Sequence, residues 1–303
     1  MSAENYNRRQ FEDGLITGKH LVQLTECWQK CHDLTEDGYC GPDTRASMDS
    51  ERLPEAPENN SLGVVALNIA IEISKNHKVG LLDLDIYGPS LSTLINFSDQ
   101  PKFDGNTIYP IEKYGLKLMS FGFINNENSP TIWRGPMVSR MTQQFFDNVD
   151  WPNLDFLILD LPPGTGDIQL TLVQKIALTG AIIITTPQQL ALIDVQKAAD
   201  MFDKVNTPVI GVIENMTHFI CPGCDTITKI FPGSGGEIES SRLKVPLLGK
   251  IYLSPEMTQT AEDGTPYVLK YKDSVITNEF NMISSQISQT VNNNFNVANN
   301  TQA

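Results

Sequence analysis

The sequence is short of cysteine and of positive charge, and it contains no long apolar run. Five cysteines in 303 residues cannot build a disulfide framework, and in a reducing compartment they read as thiols or metal ligands. The 22 basic side chains stand against 36 acidic ones, a net charge of -14. Such a surface repels phosphate backbones and anionic lipid, which argues against general nucleic-acid or membrane-surface binding. Apolar runs such as Ala181–Ile184 stop within a few residues, far below the length of a membrane span. The first ten residues, MSAENYNRRQ, have neither the apolar core of a secretory signal nor the Arg- and Ser-rich, acid-poor character of a transit peptide. The expected compartment is the cytoplasm, with the mitochondrial matrix as the alternative. No internal repeat is visible. What remains is an ordinary globular composition, 40% hydrophobic and 19% charged, with chain enough for one large domain or two modest ones.

The chain divides into three unequal parts. Residues 1–62 are irregular and end in a polar, proline-containing linker, Thr44–Ser61. Within them Leu21, Leu24, Cys27, Trp28, Cys31 and Leu34 recur at helical spacing and predict an amphipathic helix over 19–34. Residues 271–303 carry one helical pattern and then an Asn-rich tail expected to fray. Between them, residues 63–270 alternate short apolar runs (Val79–Ile86, Leu116–Phe123, Leu154–Leu161, Ala181–Thr186, Pro208–Ile213) with helical patterns (Val64–Lys75, Met137–Asn148, Ile168–Leu178, Leu190–Val205). Continuous apolar strands are those covered by helices on both faces. The alternation predicts an α/β fold, a doubly wound and mostly parallel sheet. Ligands in such sheets sit at the carboxyl ends of the strands.

Three strand ends carry unusual chemistry. LLDLDIYGPS (81–90) sets Asp83 and Asp85 two residues apart before a turn. LILDLPPGTGD (157–167) ends an apolar strand in Asp160 and follows it with a loop holding Gly164, Thr165 and Gly166. An acid at a buried strand end beside a Gly-rich loop is an arrangement that holds Mg²⁺ next to a nucleotide's phosphates. A lone Asp there would more often be a cap or turn former, but two such sites on strand ends shift the balance towards function. The third end, VIENM (212–216), leads to Cys221-Pro-Gly-Cys224. That pair reads as half of a zinc site, as a redox dithiol or as an incidental loop. The sequence has no second Cys-x-x-Cys, and Asp225–Lys229 looks extended rather than helical, so the spacing suggests a site completed by a second subunit. Cys27, Cys31 and Cys40 with His32 form a weaker candidate metal cluster, since the first two fit a buried helix face equally well.

Taken together, GLLDLDIYGPS (80–90), IWRGPM (132–137), LDFLILDLPPGTGDIQL (154–170), TTPQQLALIDVQKAADMF (185–202), GVIENMTHFICPGC (211–224) and VPLLGKIYLSPE (245–256) resemble the Mrp/NUBPL (ApbC-like) family, the iron–sulfur carrier branch of the MinD/ParA-type P-loop ATPases. The resemblance covers about residues 63–270. It implies a homodimer in which Cys221 and Cys224 of each subunit ligate one bridging [4Fe–4S] cluster, passed on to apoprotein clients. It further implies an ATP and Mg²⁺ site in which Asp160 is the acid on the Mg²⁺ side and Asp85 orients the attacking water. Asp83, Gly164, Thr165 and Gly166 would line that site, and Asn215 would contact the adenine.

One motif of the family is missing. Its phosphate loop, a KGGVGK[ST] stretch, should precede the helix starting at Val64, where the chain instead reads Pro57-Glu-Asn-Asn-Ser-Leu-Gly63. The apolar strand before that loop is replaced by the polar, proline-interrupted Arg52–Asn60. A near miss at Gly14–His20 is one residue short and has His20 where a hydroxyl residue belongs. Losing a central strand leaves its neighbours unpaired, which favours an altered or spliced start of the sequence over an evolved loss. The competing functions are a MinD/ParA-like positioning ATPase without a cluster, and a zinc or dithiol module. The uncharged Asn-rich end counts against the first, whose members often end in a basic amphipathic helix.

Overall fold

The computed structural model describes residues 62–85, 88–124, 135–162 and, apart from breaks at 163–169, 171–172 and 175, the chain on to 301. The predicted helix at 19–34, the N-terminal thiols and the loop Gly164–Gly166 lie outside the described residues, as does most of the helix expected at Ile168–Leu178.

The first described element, α1 (Leu62–Ser74), is apolar on every side. Such a helix must be covered all round, and Val64, Val65, Leu67, Ile69, Ala70, Ile71 and Ile73 are all buried. Its two buried polar side chains are satisfied by distant parts of the chain. Asn68 Oδ1 accepts the Val268 N–H at 3.0 Å, and Glu72 pairs with Lys75 and accepts from Asn281 Nδ2 at 3.1 Å.

Strand β1 (Val79–Asp83) is buried at every residue. A one-turn helix α2 (Leu91–Leu94), a hairpin of β2 (Lys102–Asp104) and β3 (Thr107–Tyr109), and β4 (Ile111–Lys113) lead to β5 (Leu116–Ser120). Tyr114 and Gly115, at φ 54° and 78°, turn β4 tightly into β5, a conformation that glycine meets without strain. Next come α3 (Phe121–Ile124), α4 (Gly135–Asp147), β6 (Phe156–Asp160), β7 (Ala181–Thr185) and α5 (Gln189–Lys204). The chain then forms β8 (Val209–Ile220), β9 (Ile227–Thr228), α6 (Gly235–Leu243) and β10 (Leu247–Leu253). It closes with α7 (Pro255–Glu262), α8 (Tyr267–Lys270) and α9 (Val275–Thr301).

The strands form two sheets, β4-β5-β1-β6 and β10-β8-β7, parallel except for β4, with β9 pairing antiparallel to the end of β8. The α/β, mostly parallel arrangement is the one expected. Several predicted boundaries move. The runs Val79–Ile86 and Leu116–Phe123 end as strands at Asp83 and Ser120, because a polar residue at each end turns its side chain to its neighbours rather than continuing the ladder. The run at Pro208–Ile213 continues to Ile220. The Asn-rich tail is helical to Thr301 instead of frayed; the earlier part of that helix buries Ile276, Phe280, Ile283 and Ile287 in the same core as α1 and β1.

Candidate functional site

Asp83 and Asp160 occupy the carboxyl ends of β1 and β6 and are register partners. Asp83 is fixed from three directions. Its carboxylate accepts the backbone N–H of Asp85 at 3.0 Å, the Ser120 hydroxyl at 2.9 Å and the N–H of Leu91 at 3.4 Å. Ser120 in turn accepts the N–H of Gly122 at 3.0 Å. Asp85 stands just past the strand, its Oδ1 accepting the N–H of Gly88 at 3.1 Å.

These surroundings hold both strand-end acids protonated to unusually high pH. Burial pushes Asp83 up to about 6, against the pull of its hydrogen bonds. Asp160 rises to about 8, through burial first and then the charges of Asp83 and Asp85. Although the Asp160 residue keeps some solvent exposure, its carboxyl is largely desolvated, and it receives no hydrogen bond among the described residues. No basic side chain figures among the groups acting on either acid. The first turn of α1 abuts this carboxyl: a Cβ added to Gly63 would lie 3.1 Å from Asp160 Oδ2 and 2.5 Å from Ser90 Oγ.

A cluster of desolvated carboxylates without a counter-charge fits a hard divalent cation such as Mg²⁺. It does not by itself fit a triphosphate, because the residues leading into α1 supply no lysine and no nest of glycine amides.

Asn215 is buried in β8, one residue past the Glu214–Thr185 register pair, and its Oδ1 accepts the N–H of Met216 at 2.9 Å. Met216 has φ 57°, which bends β8 before its last residues reach β9. Glu214, buried beside it, accepts the N–H of Gly236 at 2.6 Å and so ties α6 to the sheet.

Cys221 and Cys224 lie in the turn between β8 and β9. Phe219 pairs with Thr228 and Ile220 with Ile227, so the expected extended segment after the pair is a strand. The turn is closed by Cys221 N–H to Thr226 O at 3.1 Å and Asp225 N–H to Cys221 O at 2.9 Å, with Asp225 at φ 55°. Both cysteines are free thiols, Cys221 buried and Cys224 partly exposed. The Cys224 Sγ–H donates to Thr226 Oγ1 at 3.2 Å. His218 stacks on Tyr252 at 5.4 Å between centroids, and burial with Lys229 and Lys250 nearby lowers its pKa. Ile227 is exposed on the hairpin. Among the described residues, no group of three or more His, Cys, Asp or Glu side chains is placed to hold a metal ion, so the thiol pair is half of a four-ligand site.

The structure thus brings Asp83, Asp85 and Asp160 together at one sheet end and carries the two thiols on a separate hairpin. Sequence reasoning did not single out Ser120, the close approach of Gly63 to Asp160, or Glu214. Ser120 had a legible signal, a lone hydroxyl closing the apolar run LKLM.

Comparisons with known proteins agree on where such a chain belongs. The sequence model of the ParA family, described as NUBPL iron-transfer P-loop NTPase, matches residues 62–288. An iron–sulfur cluster carrier protein of Aquifex aeolicus is 45% identical over 77% of this chain and 65% of its own length. The iron–sulfur cluster transfer protein NUBPL of Dictyostelium discoideum is 40% identical over 73% of this chain and 70% of its own length. The chain spans only 61% of the Escherichia coli (strain K12) carrier, at 41% identity. Among solved structures, a nucleotide-binding protein from Archaeoglobus fulgidus in complex with ADP superposes with a TM-score of 0.62 at 28% identity, over 73% of this chain and 88% of that one. The cell-division ATPase MinD of Pyrococcus furiosus shares the fold, at a TM-score of 0.56 and 17% identity over 75% of this chain and 93% of its own.

Proposed function

This chain belongs to the NUBPL iron-transfer family of P-loop NTPases, and from that premise we propose that it carries an iron–sulfur cluster and hands it to apoproteins. The observation that carries the reading is the hairpin tip, where Cys221 and Cys224 stand as two free thiols with no further ligand beside them among the described residues. A [4Fe–4S] cluster takes four thiolates, and two copies of one Cys-x-x-Cys supply four about a twofold axis. The cargo then bridges a homodimer, with the exposed Ile227 beside each pair available for burial against the partner.

Delivery in this arrangement is ligand exchange. Each client thiolate that binds iron displaces one thiolate of the carrier, so the cluster passes with no change in its electron count. A bridging cluster suits this because separating two subunits frees all four positions. Asp83, Asp85 and Asp160 are assigned to a Mg²⁺ site at the sheet end. In the same reading Asp85 orients water, the 164–166 loop lines the site and Asn215 faces the base, should nucleotide bind.

Anaerobic reconstitution with iron and sulfide tests the proposal. The expected product is a brown dimer holding about one cluster per two chains. Cys221→Ser and Cys224→Ser should abolish the colour, whereas Cys27→Ser and Cys40→Ser should not. Stoichiometric zinc that resists displacement by iron, or a cluster retained in the Cys221→Ser protein, would overturn it.

A further inference from the structure

The sheet is open in the middle. β6 pairs with β1 alone and β7 with β8 alone, and among the described residues neither bonds to the other. Burial shows the consequence. VGLLD of β1 is buried throughout, but every residue of the equally apolar FLILD of β6 keeps intermediate exposure.

The two open edges nevertheless border one core. Leu157, Ile158 and Leu159 of β6 and Ile182 and Ile184 of β7 pack against the same cluster. Leu161, just beyond β6, packs against the cluster that holds Ala181 and Ile183. Unpaired backbone edges flanked by packed side chains are costly to leave open. A single strand laid between them would satisfy both.

The position of α1 identifies which strand is lacking. Its first turn lies against the carboxyl group of Asp160, at the carboxyl end of β6. In a right-handed β-α-β connection, a helix starts where the strand before it ends, so the interval is the place of a strand directly preceding α1. The chain's own residues there, Arg52–Asn60, include Pro54, Pro57, Arg52, Glu55 and Glu58 and no β-branched residue; proline cannot donate to a ladder and is excluded from central strands. Nowhere in residues 1–61 do five apolar residues occur in a row. A second copy would have to give up a core strand to fill the space.

We propose that the interval between β6 and β7 accepts an extended apolar segment from a different polypeptide, running parallel to both strands. The segment it fits has aliphatic, β-branched residues on both faces, like FLILD and AIIIT beside it, with no proline and no charge over about five residues. Main-chain hydrogen bonds to two edges provide the affinity and the side-chain pockets the selectivity, as in other strand-addition complexes. The inference rests on the sheet topology and is independent of the cluster reading.

The test uses the full 303-residue chain without iron and the synthetic peptide KKAVIVISKK, with KKAVPVISKK as its control. Hydrogen exchange is followed by mass spectrometry. Amides of 156–160 and 181–185 that face the interval should exchange freely in the chain alone. They should slow at least tenfold, saturably and together, with the first peptide and not with the second. No slowing, or slowing confined to the outer edges β4 and β10, would overturn the proposal. So would amides already protected in the chain alone, since residues of this chain would then fill the interval.

Discussion

Asp83 and Asp160 face each other across one rung of a parallel ladder, at the end of the sheet where the strands give way to loops. Neither has a basic partner among the groups that perturb it, and both titrate far above the ordinary carboxylate range, at about 6 and about 8. The sign of the linkage follows. A carboxyl whose folded pKa is raised costs nothing below the unfolded value near 4. Its penalty grows as pH rises and is complete above the folded pKa.

The protein free of divalent cations should therefore lose stability between about pH 4 and pH 8 through this pair. Asp160→Asn should remove most of that loss and raise the Tm at pH 8 by about 3 °C or more. Millimolar Mg²⁺ should stabilise the parent chain at pH 8 and do little at pH 5, where Asp160 is protonated. Thermal melts across pH, with and without Mg²⁺, give the answer. A Tm at pH 8 unchanged by Asp160→Asn would show that the carboxyl is better solvated than its position implies.

Thr226 offers a second test, at the other end of the chemistry. Its Oγ1 accepts from the Cys224 thiol at 3.2 Å. Once that sulfur is a thiolate bound to iron, the direction reverses and the hydroxyl donates to sulfur. Hydrogen bonds to cluster sulfurs stabilise the more electron-rich state. Thr226→Val keeps the shape and removes the donor, so the reconstituted cluster should have a lower reduction potential and be lost to a chelator about tenfold faster. Redox titration and absorbance decay report the two effects separately. If both match the parent, Thr226 turns away from sulfur in the loaded protein.

The alternation of strands and helices, the acids at strand ends and the cysteine pair were all legible in the sequence, because each is written in contiguous residues. The open interval was legible as well, from the polar, proline-bearing Arg52–Asn60 where an apolar strand was expected. What could not be read is what distant segments do to one another. Nothing local marks Ser120 as the partner of Asp83, 37 positions away, or Asn68 of α1 as the acceptor for Val268, 200 positions away. Strand ends moved for the same reason: whether LDLD stays extended depends on the hydrogen bonds that Asp83 finds across the sheet.

The C-terminal helix supplies a test of the core. Ile276, Phe280 and Ile283 are fully buried among residues of α1, β1 and β10, so this helix completes the packing of α1 rather than trailing from it. Phe280→Ala should cost about 3–5 kcal/mol, the range for a large aromatic removed from a core that cannot collapse. Met282→Ala, at an exposed position on the same helix, should stay within about 0.5 kcal/mol. Urea unfolding of both variants measures the contrast. Similar costs at the two positions would mean that α9 does not pack as described.

Nucleotide binding is where this chain should part from its relatives. The carboxylates that fit Mg²⁺ are in place, but Pro57–Gly63 ahead of and within the first turn of α1 brings no lysine and two glutamate- or proline-rich steps in place of glycine amides. Phosphates approaching Asp83, Asp85 and Asp160 would meet negative charge offset by the metal alone. Several charge-assisted hydrogen bonds are missing at about 1.5–3 kcal/mol each, which corresponds to several powers of ten in affinity. The full chain should show no micromolar Mg-ATP binding by titration calorimetry and no hydrolysis above background. A variant in which residues 1–63 are replaced by an apolar strand and a KGGVGKS loop should regain binding, because the inserted strand closes the interval between β6 and β7 and sets its amides at the start of α1. Micromolar binding by the parent chain would refute the expectation outright. A repaired variant that folds, protects β6 and β7 from exchange and still ignores ATP would instead refute the placement of Asp85, Asp160 and Asn215 in a nucleotide site.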